Sequence, residues 1–122
     1  MNKTIQKQIG DHAEDQAYHF LLKHGLKLLQ KNYHCVCGEI DLIMQDTEQI
    51  VFIEVRYRRK SPYASAQESI TPVKIKKLVR TATIFLQNKG WLYKKDSRFD
   101  VVTIDHDRDS TRINWIKNAF QA

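Results

Sequence analysis

The chain has 122 residues, 42% hydrophobic and 28% charged, so residues 1–122 are expected to form one domain with its own core. Lys and Arg number 20 against 14 Asp and Glu, a net charge of +6, and such a balance favours a polyanionic partner, nucleic acid or an anionic surface. Apolar residues recurring along the whole chain exclude a disordered polyelectrolyte, and the longest apolar run, Ile50-Val51-Phe52-Ile53, falls far short of the ~20 residues a membrane-crossing helix needs.

The stretch from Met1 to Gln8 has no apolar centre of the secretory kind, so the chain is expected in the cytoplasm. Ile9, Ala13, Ala17, Phe20 and Leu21 fall on one stripe at helical spacing and predict a helix over 10–24, stopped by Gly25. Residues 26–33 read as a first strand. Cys35 and Cys37 follow, one residue apart; a disulfide closing so small a ring adds little stability, and free thiols are expected. His34, Cys35 and Cys37 would supply three zinc ligands, but a structural site takes four and no second cluster stands nearby. Residues 38–44 and 50–57 have strand character, and 45–49 suits a tight hairpin between them. A polar loop over 58–69 contains Pro62. Thr71-Pro72 opens a second helix whose stripe is Ile75, Leu78, Val79, Ala82, Phe85 and Leu86, with Asn88-Lys89-Gly90 at its end. Residues 99–104 predict a further strand, 112–116 a short last one, and 117–120 an ordered tail. The order α-β-β-β-α-β-β implies a sheet with helices packed on it, an α/β or α+β layer architecture.

Chemistry concentrates in the two central strands. Side chains alternate faces along a strand, so Glu54 and Arg56 share one. A two-residue turn at Thr47-Glu48 sets Asp46 opposite Gln49 and, counted back, Asp41 opposite Glu54. Directly opposed residues have Cβ atoms ~4.5–5.5 Å apart. Two carboxylates that close need neutralising. A divalent cation with oxygen ligands would do it, and so would a salt bridge from Arg56. Glu14 borders the buried stripe of the first helix; it is either a shoulder residue in solvent or a third acid over the same ion.

Arg56, Arg58, Arg59 and Lys60 crowd the exit of the second central strand, and Lys74, Lys76, Lys77 and Arg80 fill the first half of the second helix. Such runs are either solvated faces or phosphate contacts. Bases around an acidic centre are what phosphodiester hydrolysis requires. Tyr57 and Tyr63 could stack on bases. His12, His19 and His106 are read as structural or solvent-exposed.

With these residues in view the chain resembles the YraN-type family of small bacterial proteins, itself similar to archaeal Holliday-junction resolvases in the PD-(D/E)xK, restriction-endonuclease-like group. The matching segments are Gly10 to Glu14, Gly38-Glu39-Ile40-Asp41-Leu42-Ile43, Val51-Phe52-Ile53-Glu54-Val55-Arg56-Tyr57-Arg58, the lysine-bearing second helix, Arg98-Phe99-Asp100-Val101-Val102 and Ile116-Lys117-Asn118-Ala119-Phe120. The resemblance implies a mixed central β-sheet flanked by helices, Mg²⁺ or Mn²⁺ as cofactor, and DNA as partner. It makes Asp41 and Glu54 metal ligands with the Val55 carbonyl as a third, Glu14 the helix-one acid, Arg56 a transition-state contact, and Arg58, Arg59, Lys60, Lys74 and Lys77 nucleic-acid contacts. Arg56 stands where the nuclease motif carries Lys, and arginine stays protonated, so it cannot act as a general base. Lys74 or Lys77 would then substitute from the helix. The reading that results is a metal-dependent endonuclease for DNA, branched or structured DNA included, with a homodimer expected by analogy with resolvases. The alternatives are a nucleic-acid-binding module that keeps the fold without the chemistry, and an interaction domain for an acidic protein.

Overall fold

A computed structural model describes residues 3–59, 70–107 and 110–121. The elements run α1 (Lys3–Lys23), β1 (Lys27–Cys35), β2 (Gly38–Asp46), β3 (Gln49–Arg59), α2 (Pro72–Lys89), β4 (Ser97–Asp107) and β5 (Ser110–Phe120). The expected order is thus observed. Most spans are longer than periodicity indicated: β3 runs on to Arg59, so Arg58 and Arg59, expected in a loop, end a strand, while the rest of the expected 58–69 loop lies outside the described residues. α1 begins seven residues before Gly10, because no proline interrupts 3–9 and a solvent-facing first turn needs no apolar stripe. The stretch after Ile116, expected as a tail, continues β5 to Phe120, whose ring stacks on Phe99 with centroids 4.9 Å apart.

The five strands lie in sequence order in one mixed sheet. β1–β2, β2–β3 and β4–β5 pair antiparallel, while β3 and β4 pair in parallel through the crossover that contains α2. Each face carries one helix. Ala13, Ala17 and Leu21 of α1 pack on Leu42, Met44, Val51, Ile53, Val102 and Ile104. Leu78, Ala82, Phe85 and Leu86 of α2 pack on Ile40, Ile43, Ile50, Phe52 and Phe99. β3 is covered on both faces, which is why its sequence is a continuous apolar run rather than an alternation.

α2 is fixed at both ends. Thr71 is its N-cap, the side-chain oxygen accepting from the Lys74 N–H at 3.1 Å, with Pro72 in the first turn. Gly90 closes it in the left-handed conformation at φ 75°. Gly38 has a different role. A Cβ there would meet the Thr81 hydroxyl oxygen at 3.2 Å, so its bare backbone lets α2 lie against the β1–β2 turn.

The β2–β3 hairpin has the expected register, with Asp46 opposite Gln49 and Leu42 opposite Ile53 across a turn at Thr47-Glu48. Beyond Leu42 the alternation assumed from sequence breaks. Leu42 packs in the α1 core, yet Ile40, two residues away, packs in the α2 core. Opposite the break, Asn32 of β1 takes φ 50°. The break buries both apolar side chains and turns the carboxylate between them, Asp41, towards β3.

Candidate functional site

The site grows out of that break. A regular ladder would have Ile40 exchange backbone hydrogen bonds with Val55. Instead the Val55 N–H donates to the Asp41 carboxylate (Oδ2) at 2.8 Å. A side chain has taken the place of a strand, and β2 and β3 separate there. The N–H and C=O of one extended residue point to the same edge, so the Val55 carbonyl also faces the gap.

Three acids meet at the gap. Glu54 lies on the α2 face of β3 and is only 7% exposed. Glu14 reaches in from α1, half-buried, beside a cavity of about 340 Å³ that it lines with Lys7, Asp11, Asp15, Lys31, Asn32 and Leu42. Asp41 stands between them and interacts with both. Burial, and then the charge of Asp41, push the Glu14 carboxyl up to about 7, and its hydrogen bond to Asp41 adds to the effect. That contact raises Glu14 and lowers Asp41, so of the two Glu14 holds a shared proton the more tightly. Burial followed by Asp41 also raises Glu54 to about 7, against the pull of Lys74 and Arg56. Asp41 is raised by burial, although the Val55 N–H and Lys74 oppose the rise.

Cations approach from the α2 side. The Lys74 ammonium lies 3.3 Å from Glu54 Oε1, and Arg56 Nε lies 3.7 Å from the same oxygen. Arg56 therefore does pair with Glu54, as its position two residues along the strand implied. The direct contact from Lys74 is what the helix adds; Thr71 and Pro72 start α2 so that its third residue faces β3.

The remaining expected contacts divide. Lys77 is exposed on α2 near the Gly38 turn. Arg58 is in an ion pair with Asp105, its neighbour across the parallel ladder, with Nε 2.6 Å from Oδ1. Its charge is thus partly spent inside the sheet. Arg59 ends β3 opposite His106; its side chain, Lys60 and Tyr63 lie outside the described residues. Tyr57 packs against the α1 core. Both cysteines are free thiols, as expected.

Sequence reasoning missed a second polar network at the opposite end of the sheet. Arg98 bonds Asp100 (3.0 Å), Gln49 (2.8 Å) and Asp46 (3.0 Å), and Asp100 also accepts from the Trp115 indole at 2.8 Å and the Asn118 N–H at 2.9 Å. The available signal was two opposite charges, Arg98 and Asp100, flanking Phe99 in a strand and hence on one face.

The donor set at the gap bears on the metal. Among the described residues no three His, Cys, Asp or Glu side chains group closely enough to hold a metal ion by themselves. Asp41, Glu54 and the Val55 carbonyl offer oxygen donors only, the ligand type of Mg²⁺ or Mn²⁺ and not of a structural zinc. Burial first, and for Glu54 then the charge of Asp41, holds both carboxyls above their ordinary range despite Lys74 nearby.

The model of the family described as "Uncharacterised protein family UPF0102" matches residues 13–104, which take in Glu14, Asp41, Glu54 and Lys74. The chain belongs to the UPF0102 family. A UPF0102 protein of Nitrosococcus oceani is 46% identical over 121 residues, covering 99% of this chain and 98% of its own. One of Vibrio campbellii is 48% identical, covering 98% of each, and one of Pseudomonas syringae pv. syringae is 41% identical over the full length of both. The YraN-type resemblance read from the GEID and EVRYR segments is borne out, and the UPF0102 match carries from α1 to the end of the β4 core. Among the described residues no helix of this UPF0102 protein is long and apolar enough to cross a membrane.

Proposed function

We propose that this protein is a divalent-cation-dependent nuclease of the restriction-endonuclease-like, resolvase-like kind, acting on DNA, with branched or structured DNA as the favoured substrate and a homodimer as the working unit. The observation that carries the reading is the replacement of the β2–β3 ladder by the Asp41 carboxylate, which gathers Glu14, Asp41, Glu54 and the Val55 carbonyl at one gap under Lys74. Free thiols fit the cytoplasm as its compartment.

Asp41, Glu54 and the Val55 carbonyl would hold Mg²⁺ or Mn²⁺. Such an ion, when bound, polarises the scissile phosphate and lowers the pKa of coordinated water. The chain's own residues do the rest. Val55 N–H anchors one Asp41 oxygen. Glu14, raised to about 7 beside Asp41, would exchange a proton with water around neutral pH. Lys74 would supply positive charge to a phosphate oxygen together with Arg56, which stays protonated and so cannot accept a proton. Lys77 and the other exposed bases of α2 would hold flanking phosphates without reading sequence.

The test is a panel of linear, nicked, flapped and four-way DNA with and without Mn²⁺, run beside Asp41→Ala. Cutting that needs Mn²⁺ and vanishes in a folded Asp41→Ala supports the reading; undiminished cutting by that variant refutes it. One observation favours the second reading, a binding module without chemistry: two cations already hold Glu54 Oε1. That reading predicts salt-sensitive DNA binding, no product from any substrate and no heat of Mn²⁺ binding in calorimetry.

A further inference from the structure

The β1–β2 turn holds a nucleophile that the proposed nuclease chemistry does not use. Cys35 ends β1 and Gly38 begins β2, with Val36-Cys37 as the tip between them. The Cys37 N–H donates to the Cys35 sulfur at 3.3 Å. The Gly38 N–H, the Cys37 thiol and the Thr81 hydroxyl of α2 also bear on that sulfur. Partial desolvation pushes the Cys35 thiol up, but these donors outweigh it and the thiol is lowered from its ordinary value.

Thr81 has one hydroxyl hydrogen. It donates to the Lys77 carbonyl at 2.8 Å and can turn to the sulfur when Cys35 ionises. Gly38 makes this approach feasible, since a side chain there would press on the Thr81 oxygen. Access is open as well: Val36 at the tip is fully exposed, and both cysteines are partly so. A thiolate cradled by donors beside a second thiol is the arrangement of an oxidisable pair. A structural bridge is the wrong reading, because so small a ring contributes little to folding.

We propose that Cys35 is a thiol-oxidation site for hydroperoxides, with Cys37 as its resolving thiol. The Cys35 thiolate attacks the distal peroxide oxygen. An S–O bond forms and the O–O bond breaks; sulfur is oxidised, and the departing oxygen takes a proton and leaves as an alcohol or water. The Cys37 sulfur then attacks Cys35, an S–S bond forms, the S–O bond breaks, and the hydroxyl leaves as water with the Cys37 proton. Two thiols and one hydroperoxide give one disulfide, one alcohol or water, and one further water.

The experiment treats the full chain with hydrogen peroxide and follows intact mass, with dimedone as a trap for sulfenic acid. Wild type should lose two hydrogens and regain them with dithiothreitol. Cys37→Ser should instead carry the dimedone adduct on residue 35, and Cys35→Ser should carry none on residue 37. In native wild type, iodoacetamide should alkylate Cys35 several-fold faster than Cys37; Thr81→Val should erase most of that difference and Thr81→Ser restore it. Equal alkylation of the two cysteines in the native protein overturns the proposal, and this comparison needs no variant. A dimedone adduct on Cys37 of Cys35→Ser, formed as fast as that on residue 35 of Cys37→Ser, overturns it too.

Discussion

Glu54 is a buried acid whose two nearby cations do not bring it down to the ordinary carboxylate range. Its proton affinity, and that of Glu14, is raised from 4.5 to about 7 by burial and by Asp41. The folded protein therefore holds these protons more tightly than the unfolded chain does. By linkage, stability is greatest below the unfolded value and falls as pH rises from about 4.5 through about 7. Urea unfolding of the apo protein at several pH values should show that decline, and Mn²⁺ should offset it at the alkaline end. Glu54→Gln mimics the protonated form, so it should flatten the decline; a variant with the same pH slope as wild type would mean that Glu54 is ionised without cost. At this scale Asp41 matters for a different reason. It is a hydrogen-bond acceptor for β3 as well as a charge, so Asp41→Asn tests charge while retaining an oxygen for the Val55 N–H.

α2 reaches the acidic gap through its start. The Thr71 cap accepts the N–H of Lys74, the residue whose ammonium reaches Glu54. Thr71→Ala should lower stability by about 1 kcal/mol in a denaturant titration, as loss of an N-cap does. Because the cap also seats the first turn, the same variant should weaken cleavage or binding beyond what the stability loss explains. Unchanged activity at saturating stability would separate the cap from the site. Among strands, β2 is the informative one. A strand that kept its alternation would place Ile40 with Leu42 on the α1 side. Here the pleat breaks between them, and the polar residue at the break becomes the ligand candidate.

The whole molecule is organised as a sheet with polar clusters at both ends and apolar layers between. The Arg98–Asp100 cluster ties the β2–β3 hairpin to β4 and β5, with Asp100 fully buried. Asp100→Ala leaves the Arg98 guanidinium short of its main partner, and thermal or chemical unfolding should show a loss of about 3 kcal/mol or more. A loss under ~1 kcal/mol, the level of an exposed pair, would show that water already reaches Arg98. The net charge of +6 acts at the same scale. DNA affinity should fall linearly with the logarithm of salt concentration, and Lys77→Glu should make that slope shallower by about 1 if the exposed Lys77 meets a phosphate. An unaltered slope would move the contact elsewhere on α2.

Element order, the hairpin turn, the two apolar stripes and the acidic residues were all legible in the sequence. Each is a local matter: periodicity, capping chemistry and turn residues act over a few positions. Counting back from the two-residue turn gave the register as far as Leu42 opposite Ile53; the expected step to Asp41 opposite Glu54 is not made, because the ladder ends there and Asp41 bonds the Val55 N–H instead. Four features were settled only by tertiary packing: the flipped pleat at Asp41, Lys74 seated on Glu54, Arg58 spent on Asp105, and the Arg98 network. Each depends on residues far apart in the chain competing for the same buried space and the same unsatisfied donor. Local spacing carries no record of that competition; burial decides it, because within the core every polar group must find a partner.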